Sequence, residues 1–252
     1  MRRLHTIFTA VATLFLGVTT ANATVSTLIW QPSVDIQPFL NPHFGWDTYL
    51  SLKDPSITTV NGGITMGVLP FKKIQMEVGI DYRDINGSHV YPWYVNARIG
   101  SPEGSFFKYQ PAIVAGVYDV GLRLDQHYSP SDDDIVCAQL GETIWKLGRF
   151  TVGGFYGNPK LLVNASKLDA SGNPVTDNAG VLLGWDRVIS ELTDKLWLCV
   201  EYQGTNSGYG AFSFGFSWSY APNVSVIYAV DMINDSKTYA PTATVQLDIN
   251  FK

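Results

Sequence analysis

Ala211–Tyr220 reads AFSFGFSWSY, and no other stretch narrows the possible folds as far. Phe212, Phe214, Phe216, Trp218 and Tyr220 alternate with Ala211, Ser213, Gly215, Ser217 and Ser219. Side chains along a strand point to opposite faces in turn, so one face is all aromatic and the other all small. A period of 3.6 would smear the aromatics around a helix. A half-buried strand of a soluble sandwich would carry Lys, Glu or Thr on its wet face. Small residues opposite aromatics suit a strand whose large side chains meet lipid.

The chain opens with Met1-Arg2-Arg3, runs apolar to Val18 and reaches Ala21-Asn22-Ala23. A basic start, a short apolar run and an A-x-A ending predict a secretory signal peptide over residues 1–23 and a place outside the cytoplasm. With 17 basic residues, two of them in that leader, against 22 acidic ones, the remainder carries −7. Such a balance speaks against a nucleic-acid partner, which wants a basic face. No later stretch approaches the ~18 consecutive apolar residues of a spanning helix. A membrane-spanning chain of this kind must therefore close into a barrel, which pairs every backbone group in lipid.

Residues 24–42 contain Trp30, Pro32 and Pro38 and alternate weakly, so they read as a lead-in, edge or tucked segment. The barrel domain is predicted over 43–252. Ile74, Met76, Val78, Ile80 and Tyr82 line one face, opposite Gln75, Glu77, Gly79, Asp81 and Arg83. Trp93, Val95, Ala97 and Ile99 oppose Tyr94, Asn96, Arg98 and Gly100, whereas 112–118 alternates poorly and is placed by spacing. Leu196–Tyr202, Val224–Val230 and Ala243–Phe251 repeat the pattern. Twelve strands are counted from Phe44 onward. Tight turns near 70–73, 146–148, 190–194 and 220–223 alternate with longer polar connections near 84–89, 119–133, 159–178, 204–209 and 234–241. Short periplasmic turns and long outer loops, with an even strand number, are the habit of outer-membrane barrels. The expected fold is thus all-β, an antiparallel transmembrane barrel of 12 strands behind a cleaved signal peptide.

The ending TVQLDINFK resembles the C-terminal strand by which Gram-negative outer-membrane proteins are recognised for assembly, except that Phe251 is penultimate and Lys252 follows. IWQPSVDIQPF, GVLPFKKIQMEVGIDY, GSPEGSFFKYQPAIVAGVYDVG, LLGWDRVISELTDKLWLCVEYQG and FSFGFSWSYAPNVSVIY are similar to an uncharacterised family of delta-proteobacterial outer-membrane proteins. The resemblance implies an outer-membrane location and a barrel, with lipid, lipopolysaccharide and the barrel assembly machinery as partners. It implies no catalytic residue and no cofactor.

The residues themselves point the same way. Cys137 and Cys199 lie in strands that are not sequence neighbours, which favours free thiols, and there is no metal-ligand spacing. A Ser–His lipid enzyme would need His43, His89 or His127, all at strand ends or loops. Asp132, Asp133 and Asp134 read as a solvated loop run ahead of a calcium or lipopolysaccharide site. Glu77, Asp81, Arg83, Arg98, Lys195, Glu201, Asp231 and Asp248 all take the polar phase and form the expected lumen wall. Such a wall fits a passive porin-like channel for small hydrophilic solutes or ions. The alternatives are a non-conducting barrel whose interior charges pair and whose outer loops bind a partner, and then an outer-membrane lipid enzyme. Ser213→Arg is expected to be better tolerated than Phe214→Arg, because the position faces the lumen.

Overall fold

The computed structural model describes residues 26–87, 92–122 and 132–251. The signal peptide, His89, His127 and Lys252 lie outside them. Strands β1 (Pro42–Ser51), β2 (Thr58–Gly67), β3 (Gln75–Ile85), β4 (Trp93–Ser101) and β5 (Ala112–Gly121) open the wall. β6 (Ile135–Ile144) and β7 (Gly148–Tyr156) follow, then a small hairpin, β8 (Val163–Leu168) with β9 (Pro174–Thr176). β10 (Ala179–Val188), β11 (Leu196–Gln203), β12 (Ala211–Ala221), β13 (Val224–Ile233) and β14 (Thr242–Asn250) complete it. Every neighbour pairing in the wall is antiparallel, and β1 closes on β14, His43 opposite Asn250, giving the expected closed barrel of twelve strands. The hairpin β8–β9 stands apart, inside what the sequence presents as one long polar loop.

Alternation fixes which face looks out. Phe214 is 42% exposed on the outer surface, while Ser213 beside it is wholly buried inside. From Trp46 on β1 and Ile64 on β2 round to Met232 on β13 and Val245 on β14, every wall strand puts a large apolar side chain outside. Water would not tolerate so continuous an apolar surface on a monomer, and lipid requires it. Aromatic residues gather where the band ends. Tyr82 and Trp93 meet edge to face at 5.1 Å on the loop side, and Phe71, Phe106 and Trp145 stand exposed in turns at the other rim. No described helix is long and apolar enough to cross a membrane, and the strands do so instead.

Residues 26–41 do not join the wall. Pro32 and Pro38 have no N–H to give a ladder, so the segment leaves the sheet and enters the lumen. A narrow turn, closed by Leu28 N–H to Gln31 O at 2.9 Å and Ser33 N–H to Ser26 O at 3.1 Å, carries Trp30 at its tip. From there the chain descends to Leu40, whose N–H donates to Gly67 O at 2.9 Å at the turn-side end of β2. Only glycine fits at position 67, because a Cβ would collide with the carbonyl oxygens of Gln37 and Pro38.

This plug has a greasy side and a wet side. Leu28 and Ile29 pack with Trp197, Cys199, Ile227 and Ala229, and Val34 and Ile36 pack with Ala112 and Val114. Inward apolar residues are therefore needed on β5, which is why 112–118 alternates poorly in the sequence. Nearer the loops, Tyr118, Ile135, Cys137, Phe155, Leu162, Leu182 and Tyr209 make a third apolar cluster, with Trp30 against it. Both cysteines are buried free thiols, as expected.

Candidate functional site: a half-open lumen

The expected wall residues divide between holding the plug and lining a cavity. Glu201 belongs to the plug. Its Oε2 accepts Ile29 N–H at 3.0 Å, and its Oε1 accepts Trp30 N–H at 2.8 Å and Gln31 N–H at 3.1 Å. Three convergent amides from consecutive plug residues form a concavity that the Glu201 carboxyl group fills. Lower down, Arg98 Nη2 lies 2.6 Å from Glu77 Oε1, and Arg98 also donates to Ser33 O and Asp35 O. The other oxygen of Glu77 accepts Gln37 N–H at 2.7 Å. A buried pair whose remaining valences are taken by plug backbone is the geometry in which burying two charges is repaid.

Asp231 and Asp248 are buried and inward. Asp231 Oδ2 accepts Thr242 O–H at 2.8 Å, and Asp248 Oδ1 lies 3.1 Å from His43 Nε2. Lys195 does not reach the lumen. It sits exposed in the turn just before β11, because the strand starts one residue later than the polar phase suggests. His43 faces inward on β1, so it is not placed as a base on the lipid-facing wall.

Asp81 and Arg83 line a cavity of about 460 Å³ along the β1–β5 side, between the wall and the plug. Sequence reasoning missed three of its polar neighbours. Asp47 and Asn61 were within reach, since Asp47 stands opposite Trp46 and Leu50 in plain alternation. Asp119 was not, because a bulge between β4 and β5 breaks the phase there. Tyr118 and Asp119 together oppose Asn96, Asp119 takes φ 54, and its N–H donates to Asn96 Oδ1 at 2.8 Å. Bulges re-aim side chains in this way. Asp119 thereby meets Arg83 at 2.9 Å, and the same guanidinium lies 3.6 Å from Asp133 and 4.5 Å from the Tyr94 ring. Arg149, away from the cavity lining, was missed as well; it holds Asp35 of the plug at 2.7 Å and Asp186 at 3.0 Å. Asp186 shares the inward phase of Leu182 and could have been found by alternation.

The acidic run 132–134 scatters. Asp133 turns to Arg83 at the cavity, while Asp134 accepts Gly121 N–H at 3.2 Å on the outside. Burial, with the Asp119 carboxylate beside it, pushes Asp133 up to about 7, against the pull of Arg83. Among the described residues no group of three or more His, Cys, Asp or Glu is placed to hold a metal ion.

Over the loop-side mouth, Leu161 and Leu162 reach the cavity wall, and Asn158 Nδ2 donates to Asp132 O at 2.9 Å. The long loop is tied across the mouth by Ser166, whose Oγ bonds Asp235 and lies 3.0 Å from Thr238 Oγ1. The lumen is thus packed on one side and open on the other, with six carboxylates against two guanidinium groups around the opening.

No protein-family model and no curated protein matches the chain, so the likeness to a delta-proteobacterial family rests on the segments quoted above. Solved barrels are similar in shape. The NanC porin is 10% identical over 84% of this chain and 99% of its own, with a TM-score of 0.47. Omp33 of Acinetobacter baumannii is 11% identical over 84% and 98%, with a TM-score of 0.41. Outer membrane phospholipase A from Escherichia coli is 10% identical over 86% and 94%, with a TM-score of 0.42. Each is a likeness at low identity that transfers no activity to this chain.

Proposed function

We propose that this chain is an integral barrel of the bacterial outer membrane that passes small hydrophilic cations through a passage narrowed by its own N-terminal segment. Lipid and lipopolysaccharide surround it on this reading, and the barrel assembly machinery inserts it. The observation that carries the reading is the partial plug: residues 26–41 fill part of the lumen and leave an acidic cavity along the loop-side part of β1–β5. Rings of carboxylates favour cations, and low-dielectric walls strengthen the field. A specific observation favours a silent barrel as the second reading, namely that Glu201, Glu77 and Arg98 fasten the plug at two heights.

Single-channel recording in a planar bilayer decides between them. Small currents with a cation-positive reversal potential across a salt gradient are expected, reduced in preference by Asp81→Asn. Screening lengthens to ~30 Å at 0.01 M, so the preference should grow as salt falls. Glu77 is the wrong residue to neutralise, being committed to Arg98 and the plug. A silent or anion-selective barrel overturns the reading.

A further inference from the structure

The open half of the lumen is lined by more than the passage of a bare ion needs. Asp47 on β1 and Asp81 on β3 flank β2 and both face in. A Cβ at Gly63 of β2 would collide with Asp81 Oδ1, so that carboxylate leans across β2 toward β1. Asp81 accepts a hydrogen bond from Asn96, yet among the described residues neither acid forms an ion pair. The nearest guanidinium, Arg83, is already held by Asp119 and Asp133 and by the ring of Tyr94.

Toward the loops the lining turns aromatic. Trp30 lies 5.9 Å from Tyr49 and 6.2 Å from Tyr209, and Tyr209 lies 6.0 Å from Tyr118. Tyr118 and Tyr209 supply an independent sign of a ligand. They are 8% and 3% exposed, they line the cavity, and among the described residues neither hydroxyl has a hydrogen-bond partner. Buried hydroxyls without partners are costly and call for an explanation.

We propose that the cavity binds a small organic ammonium ion. Its N–H groups meet Asp47 and Asp81, its hydrocarbon body lies against Trp30 and Tyr49, and a polar group at its far end meets the hydroxyls of Tyr118 and Tyr209. Carboxylates accept from ammonium N–H groups, and aromatic faces attract the cation and its apolar stem. A volume of about 460 Å³ lies within the range of small-molecule pockets. The site deepens the cation-preferring passage proposed above without depending on it, since a barrel that passes no current still presents it.

Calorimetric titration of the full-length barrel, folded in detergent at neutral pH in KCl, tests this apart from conduction. 4-Amino-1-butanol should bind saturably, with the neutral 1,4-butanediol about tenfold weaker or worse. Asp47→Asn with Asp81→Asn should remove that advantage. Tyr209→Phe should weaken the amino alcohol but not butylamine, which has no far-end hydroxyl. Equal binding of amine and diol, no saturable heat, or an affinity unmoved by the paired Asn changes would overturn the proposal. So would displacement of the amine by K⁺ alone, which would mark an inorganic cation site. Should the double variant not fold, the amine and diol on the wild-type barrel decide the matter.

Discussion

The two sides of the lumen are built from the same alternating strands and end in opposite states. On the β10–β13 side small and apolar inward residues, Ser213, Ser217 and Ala229 among them, stand beside Glu201 and Asp231, and the plug fills the space they leave. On the β1–β5 side the inward residues nearer the loops are Asp47, Asn61, Asp81 and Asn96, and at that height the plug stands off, although lower down it is held by Glu77 and Arg98 and packs on β5. A chain segment with apolar side chains gains by lying on the first wall and would strand carboxylates without water on the second. The difference teaches that the small face of β12 serves two environments. It leaves the aromatic face to lipid, and it makes room inside for Leu28 and Ile29.

An arginine scan breaks the comparison if it is wrong. Phe214→Arg puts a charge in lipid near mid-barrel and should cost about 2–4 kcal/mol of insertion. Ser213→Arg faces inward, but the position is wholly buried under the plug, so the tolerance expected from its phase does not follow. It should expel the plug, read as new protease cleavage within residues 26–41 of a barrel that still folds. Thr59→Arg, facing the cavity, should leave folding and plug unchanged. Equal damage at Ser213 and Thr59 would contradict a half-filled lumen.

Glu201→Ala should come next in size. It leaves three plug amides without their acceptor, each worth about 1–3 kcal/mol when buried and unpaired. Protease sensitivity of the plug and mean single-channel current should both rise. Unchanged current with a released plug would place the barrier elsewhere.

The smallest effect concerns pH. Asp133 is held up to about 7 by burial and Asp119, so it is neutral below that value and charged above it. Because its folded value is raised, any stability it lends is present at acid pH and fades as pH rises through 7. The charge it gains at the cavity mouth should meanwhile increase cation preference between about pH 5.5 and 8.5. Reversal potentials at the two pH values check this, and Asp133→Asn should shrink the step.

Where alternation is strict, fold and facing were legible. Ala211–Tyr220 and 74–83 announce which side meets lipid, and strand parity and connection lengths announce closure. The site was legible only in part, because phase tells inside from outside and says nothing of what an inward residue touches. Glu77, Arg98 and Glu201 were found as lumen groups, yet their partners are backbone atoms of the plug, 40 to 172 residues away in sequence. Asp119 was hidden by a bulge, and Lys195 was misplaced by one residue at a strand end. The tucked segment itself was one of several readings of a proline-interrupted stretch. Only the closed wall shows that its apolar residues have an interior surface to cover.

The central claim is that one half of the lumen is filled and the other open, and thiol labelling measures it directly. Cys199 lies under the plug at 1% exposure, whereas Asp47 borders the cavity. A small charged methanethiosulfonate added to the folded barrel should modify Asp47→Cys quickly and leave Cys199 untouched. Adding Glu201→Ala should open Cys199 to the reagent. Labelling of Cys199 in the intact barrel as fast as at position 47 would contradict the account.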